Sequence, residues 1–374
     1  MITLQKQALY DILYGCTILG TGGGGSLEAG LKLIDEALAA GKTFRLVDFS
    51  EVPDDAMIAT PYMCGSISPT TPELEAQYAG LPVMKDPDSY LAYKALEEYF
   101  GQEFYGVTST ELGGGNTAIA LYVGAWLGKY ILDADPAGRS VPELQHSTFF
   151  LHDLPIYPLA CANQFGDVAI LPRVANDLRA EALVRAMAVA SKNRIGVVDH
   201  PAQAKTLRDS IIKGAISRAW KIGKTFRETK QAGGAVAARI AEVGGGFVLF
   251  QGRVSSHHYD TVDGFTIGEV LISGEGPYAG SEYKIYFKNE HMISWRDGEV
   301  DVTIPDLIIV FNEDSCEPNL NPYFNEGMKV SVIGLPAPAE WRTPRGLEVF
   351  GPAYLHADVE YVPIEKKYGG AYKD

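Results

Sequence analysis

The order of apolar patterns predicts an α/β N-terminal domain, a mainly parallel sheet covered by helices, followed through a helical lead-in by a largely antiparallel β C-terminal domain. Three observations carry this. In the first half, strand-like runs alternate with helical ones. From Gly245 onward the pattern changes to short alternating runs punctuated by glycine and acidic turns, the signature of a sandwich or barrel. The composition, 46% hydrophobic and 21% charged over 374 residues with 40 Gly and 20 Tyr, suits a loop-rich two-domain chain better than a helical bundle. The Pro-bounded extended stretch Pro155–Pro172 marks the boundary, giving domains 1–172 and 173–374.

The elements follow in order. Leu4, Ala8, Ile12 and Leu13 are in phase for an amphipathic helix over 4–19. It ends in Gly20-Thr21-Gly22-Gly23-Gly24-Gly25, and Ser26 is a good N-cap for a second helix to Ala40. Phe44–Phe49 and Ala56–Met63 are strand-like, the second ending in the polar loop Cys64-Gly65-Ser66-Ile67-Ser68. Helical Ser89–Phe100 precedes a strand over Tyr105–Thr110, which leads into Glu111-Leu-Gly113-Gly114-Gly115-Asn116. Thr117–Leu127 fits a buried helix, and Lys129–Leu132 a strand that runs into Asp133-Ala-Asp135-Pro136-Ala-Gly138-Arg139. Asp177–Ser191 and most of Ala202–Val243 read as helix, the latter with a basic stripe that includes Arg227 and Lys230. The β runs are 246–254, 259–272, 283–289, 301–311, 328–335 and 348–350.

The formal net charge of −15 disfavours nucleic acid, whose binding rests on neutralising phosphate, and an anionic membrane surface. Cys16, Cys64, Cys161 and Cys316 are dispersed, with no CxxC, as expected of reduced thiols in a cytoplasmic protein. No apolar run approaches the ~20 residues of a membrane span. The expected partner is a small-molecule substrate, and a homo-oligomer is the base expectation for such a chain.

Parallel strands place their C-terminal loops on one sheet edge, where α/β proteins bind ligands. The loops at Cys64, Glu111 and Asp133 therefore converge, and their carboxylates become candidates for acid–base work. The glycine loop follows a helix rather than a strand and lacks the Gly-Lys-Ser/Thr of a P-loop, so it is no nucleotide fingerprint. Its backbone N–H groups at a helix start suit a carboxylate instead. Cys64 has no His near it in sequence, and the chain has no G-x-S-x-G elbow. His146, His152, His257, His258 and His291 are candidate ligands for a divalent metal alongside Asp133 or Asp135, without an HExxH pair. Asn289-Glu290 ends a strand of the β domain and Asp306 starts another, so both can face the acidic loops across a cleft.

Together the stretches Gly20–Gly25, Glu111–Asn116, Asp133–Arg139 with Pro142-Glu143, Asn289-Glu290 and Pro305-Asp306-Leu-Ile span the chain in order. With them the chain resembles the S-methyl thiohydantoin desulfurase family, linked with hydantoinase/oxoprolinase-type proteins. The resemblance implies an α/β domain followed by a β domain, and hydrolysis at a five-membered N-heterocycle with loss of methanethiol. On that reading Asp133 or Asp135 is the base, Glu111 or Glu290 the acid, and Arg139 with Gly22, Gly23, Gly24 and Gly25 holds a substrate carboxylate. Asn116 hydrogen-bonds the ring, and Asn289 is a further substrate-binding residue. No cofactor is required on this reading; a divalent ion on the carboxylates is the other route to activated water. A metal-dependent cyclic amidohydrolase, and a non-catalytic binding subunit of a hydantoinase-type enzyme, are the competing classes.

Overall fold

A computed structural model describes residues 1–66 and 70–369, so Ile67 and Ser68 of the Cys64 loop lie outside the described residues. Strands β1 (Ile2–Leu4), β2 (Phe44–Val47), β3 (Met57–Gly65), β4 (Gly106–Val107), β5 (Tyr130–Leu132), β6 (Ala134–Asp135), β7 (Leu159–Ala162), β8 (Val168–Leu171), β9 (Arg194–Gln203) and β10 (Ile212–Lys213) occupy the first part of the chain. All but β6 and β10 form one eight-stranded sheet in the order β1-β2-β5-β4-β3-β9-β7-β8. Its central block β2-β5-β4-β3 is parallel, as the alternation of strands and helices predicts. Antiparallel strands flank that block, making the sheet mixed.

The second part holds β11 (Phe247–Val262), β12 (Phe265–Gly274), β13 (Glu282–Lys288), β14 (Glu290–Arg296), β15 (Glu299–Thr303), β16 (Leu307–Asn312), β17 (Glu317–Pro318) and β18 (Lys329–Leu335). They form a second eight-stranded sheet, β15-β14-β13-β12-β11-β18-β16-β17, antiparallel throughout. The division into an α/β part and an antiparallel β part is therefore as predicted.

Several elements differ from the sequence reading. Leu4 pairs with Phe44 in β1 instead of opening the first helix, which is Lys6–Leu19. The run 105–110 forms a strand only over β4; beyond it the Thr108 hydroxyl donates to the Ala134 carbonyl at 2.9 Å and the Ser109 hydroxyl lies 3.2 Å from that of Thr117. The stretch 348–350 is not a strand. It closes the helix Pro344–Phe350, where Thr343 accepts from the Gly346 N–H at 3.0 Å and Pro344 takes the first position, which needs no donor. The run 301–311 splits into β15 and β16 around Pro305. The ten-residue β9 was not anticipated; it inserts beside β3 and brings a strand from beyond residue 173 into the first sheet.

One apolar core runs continuously from the first helix through Val107 and Ala219 to Ile333 and Trp341. Lys6–Leu19 packs on the helix Ala215–Gln231 so closely that a Cβ on Gly223 would overlap the Asp11 carbonyl. Beside that contact the Arg227 guanidinium, part of the basic stripe, donates to both Asp11 carboxylate oxygens at 2.8 and 3.0 Å. Among the described residues no helix is long and apolar enough to cross a membrane. Overpacking of this kind costs ~1–3 kcal/mol. Gly223→Ala is thus expected to lower stability by about that amount in urea unfolding, whereas Gly276→Ala, whose added Cβ meets nothing within 4 Å, has only its positive φ of 57° to contend with and should cost less.

Candidate active site

A cleft of about 840 Å³ opens between the sheets. Its lining includes the glycine loop, the end of β3 at Met63–Ser66, Glu111, Asn116, the stretch Val141–Ser147 without Gln145, and Asn289-Glu290. Each half supplies one carboxylate. Glu111 follows β4 with a backbone φ of 50°, a left-handed conformation that is costly for a residue with a Cβ and that recurs at functional positions. Glu290 opens β14 directly after Asn289, which turns the β13–β14 corner at φ 59° while its side chain accepts from the Thr266 N–H at 2.9 Å.

The two carboxylates share Ser140. Its hydroxyl donates to Glu290 Oε1 at 2.8 Å and lies 3.3 Å from Glu111 Oε2. A hydroxyl carries one hydrogen, so it serves Glu290 and leaves Glu111 the looser contact. Glu111 Oε2 also accepts from the Val141 N–H at 3.3 Å, and Glu111 Oε1 from the Asn116 side-chain amide. Asn116 is held in turn by the Met63 N–H, which donates to its Oδ1 at 3.0 Å. Glu290 Oε2 is buried with no partner among the described residues.

Burial and the charge of Glu290 hold the Glu111 carboxyl well above the ordinary carboxylate range, more than Val141 and Ser140 offset. Burial also raises Glu290, but Ser140, Arg139 and Arg185 pull it back. Both carboxyls are thus held above the ordinary range in different surroundings, Glu111 beside the charge of Glu290 and Glu290 beside Arg139 and Arg185.

The glycine loop has a different main task from the one expected. Thr21 O accepts from the His291 N–H and Gly22 O from the Asn321 N–H, each at 2.8 Å, which docks the loop on the second sheet. Glu290 then lies flat on Gly23, where a Cβ would overlap its carboxyl. Gly24 O accepts from the N–H groups of Gly115 and Asn116 at 3.0 and 3.1 Å, tying the two glycine-rich loops together. Gly22–Gly25 still line the cleft, as do Asn116 and Asn289.

Three expected residues lie elsewhere. Asp133 caps the helix Ala215–Gln231, accepting from the Ser217 N–H at 2.9 Å and from the Ser217 hydroxyl. The short β6–β10 pairing draws residues 133–135 toward that helix and away from the cleft lining. Asp135 is buried and accepts from the N–H groups of Ala137 and Gly138, both at 2.7 Å; burial pushes its carboxyl up to about 7 against those two amides. Arg139 is buried as a strut between the halves. It donates to the carbonyls of Ser140, Pro305 and Asp306 at 3.0, 2.6 and 3.0 Å and to the Thr21 hydroxyl at 3.0 Å, so its guanidinium is committed to the protein rather than to a substrate tail. Asp306 likewise serves the fold, accepting from Ala337 and Ile364 N–H groups and from Arg342.

Cys64 lines the cleft, but burial pushes its thiol up, the reverse of an activated nucleophile. The candidate histidines do not gather: among the described residues no three His, Cys, Asp or Glu side chains form a metal-binding group. His291 is engaged by Ile308 O and Asn321 Oδ1, while burial pushes His146 down to about 3, leaving a neutral imidazole against the Phe350 and Tyr354 rings. Several residues at or beside the cleft escaped the sequence reading. Ser140 sits one residue after the expected arginine. Glu143, within a quoted motif, accepts from Lys288 and from Tyr354 at the cleft wall. Asp199-His200, which also lines the cleft, follows the apolar run Ile195–Val198, the same signal of an acid after a strand-like run that was used for Asp133.

The protonated carboxyls set the pH dependence of stability. Between about 3.8 and about 7 Asp135 keeps a proton in the folded chain that an unfolded Asp has released. The folded state thus holds more protons, and stability must fall as pH rises through about 7. Thermal unfolding should show this decline, and Asp135→Asn should flatten it.

Comparison with known proteins agrees with this two-part architecture. The family model described as the S-Me-THD-like N-terminal domain matches residues 7–173, and that of the S-Me-THD-like C-terminal domain matches 175–364. An X-ray structure of a protein from Chromobacterium violaceum superposes with a TM-score of 0.76 at 22% identity, covering 97% of this chain and 100% of that one. At that identity the likeness shows a common fold. No curated protein matches the chain. With both halves of the chain matched in order, this protein belongs to the S-Me-THD-like family, that of the S-methyl thiohydantoin desulfurases.

Proposed function

We propose that the protein hydrolyses the C–S bond of an S-methyl thiohydantoin-type ring, and that the buried Glu111–Glu290 pair performs the proton transfers. The observation that carries this reading is the unequal pair itself, two carboxyls from opposite halves of the chain on one serine in a cleft. The family supports the substrate class.

The substrate unit is C(–SCH3)=N in a planar five-membered ring. Water adds at the carbon, giving one proton to ionised Glu290, while protonated Glu111 delivers its own to the ring nitrogen. The tetrahedral centre then carries a hydroxyl and the methylthio group. Its collapse forms C=O and breaks C–S. The hydroxyl proton returns to Glu111, and Glu290 protonates the departing thiolate. The ring becomes a hydantoin, methanethiol leaves, and both carboxyls regain their starting states. Ser140 and Asn116 keep the two groups in register, and burial makes each transfer worth more than it is in water.

Glu111→Gln and Glu290→Gln should each cut methanethiol release by more than ~100-fold with the fold intact. Asp133→Asn loses part of a helix cap, so it should cost roughly 1 kcal/mol of stability and leave turnover near that of the parent. Near-normal turnover in both glutamine variants would contradict the assignment.

A further inference from the structure

One buried imidazole of the cleft plays no part in the scheme above. His200 follows Asp199 on β9, and both residues line the cleft. The Asp199 carboxylate receives three donors: His200 Nδ1 at 2.9 Å, the Tyr62 hydroxyl at 2.6 Å, and the Thr60 hydroxyl. A carboxylate so surrounded acts only as an acceptor, so the hydrogen between it and the imidazole belongs to Nδ1. In the neutral ring the other nitrogen, Nε2, then presents a lone pair. That atom is buried and has no hydrogen-bond partner among the described residues, in a residue only 4% exposed. Leaving such an acceptor dry and unpaired costs free energy.

Two further features show that the position is built. His200 holds a left-handed backbone at φ 44°, rare for a non-glycine residue, and its N–H donates to the Ile156 carbonyl at 3.2 Å. The Phe149 ring lies tilted against the imidazole with centroids 4.7 Å apart, which fixes the ring plane. The link to the carboxylate pair is short. Tyr62 anchors Asp199, and the next residue, Met63, anchors Asn116 and through it Glu111. Consecutive residues of β3, with Cα atoms about 3.8 Å apart, therefore organise both places. The surroundings are acidic: Asp199 touches the imidazole and Asp177 acts on it electrostatically.

We infer that the lobe of the cleft at His200 is a second polar subsite, which receives the far end of the ligand as a hydrogen-bond donor, such as an amide N–H, a hydroxyl or an ammonium group, on His200 Nε2. A carboxylate end fits poorly, since it would place one acceptor against another beside two aspartates. The inference deepens the ring-hydrolase reading by naming the substituent the ring carries, and it removes the expected carboxylate tail from this end of the cleft.

The test uses the full chain, with ¹⁵N-labelled histidine, and two hydantoins that differ only in their side chain, one ending in a carboxamide and one in a carboxylate. The His200 signals are assigned by their loss in His200→Gln. The expected result is that the carboxamide shifts the Nε2 resonance and binds at least ~10-fold more tightly than the carboxylate by calorimetry, the size of one good hydrogen bond to an otherwise unpaired buried acceptor. In Asp199→Asn, where the tautomer is no longer held, that preference should collapse. Equal affinity for the two compounds, or no Nε2 shift with either, overturns the subsite. Methanethiol release with no side-chain preference overturns the subsite and leaves the hydrolase reading standing. An Nε2 shift with the carboxamide, in a protein that releases no methanethiol from any S-methyl thiohydantoin, upholds the subsite and overturns the reaction.

Discussion

Two carboxyl groups held side by side away from water are the constraint around which this molecule is arranged. Such a pair is tolerated only if a proton stays with it, and of its oxygens Glu290 Oε2 alone has no donor among the described residues. Much of the local structure serves that requirement. Ser140 is placed between them by the buried turn after Asp135. Asn116 reaches Glu111 because its helix begins where two glycine-rich loops meet. Gly23 has no side chain because Glu290 occupies the space where one would stand. Stability that declines with rising pH is the counterpart of an acid ready to act near neutrality.

The pair also explains why the two sheets form one continuous core. One acid comes from each half, and their spacing depends on how the halves meet. Arg139 spans that junction with four hydrogen bonds, three to carbonyls on either side and one to Thr21 at the root of the glycine loop. An arginine beside an acidic loop invites reading as an anion clamp. Here its burial shows what selects it: a planar donor fork that satisfies several inward-facing carbonyls at once. The same holds for Asp306, whose oxygens are taken up by backbone amides and Arg342.

Much of the fold was legible because it rests on local patterns. The parallel block around β3, β4 and β5 follows from strands alternating with helices, and the antiparallel half from alternation between glycine turns. What the sequence concealed depends on long-range pairing. β9 extends over ten residues because it pairs along β3, although only Ile195–Val198 within it is a strand-like run. Pro344–Phe350 has a strand's apolar residues but a helix's cap. In the site, Glu111, Glu290, Asn116, Asn289 and the glycine loop were legible as polar groups at loop positions. Asp133 and Asp135 looked equally good, and only the β6–β10 pairing reveals that they face a helix start and a turn. Asp199-His200 carried a usable signal, an acid after an apolar run, which went unused because β9 was not seen.

The proposal turns on Glu111 holding its proton well above the ordinary carboxylate range, because of where it is buried and which acid it faces. Carbon-13 NMR of the protein labelled at the glutamate side-chain carboxyls, titrated from acid to alkaline pH, measures this directly, with Glu111→Gln and Glu290→Gln assigning the two signals. The account requires one carboxyl that remains protonated well above the ordinary carboxylate range, and a Glu290→Gln variant in which the Glu111 titration moves down as its charged neighbour is lost. Two glutamates that both ionise in the ordinary range, each indifferent to replacement of the other, would contradict it.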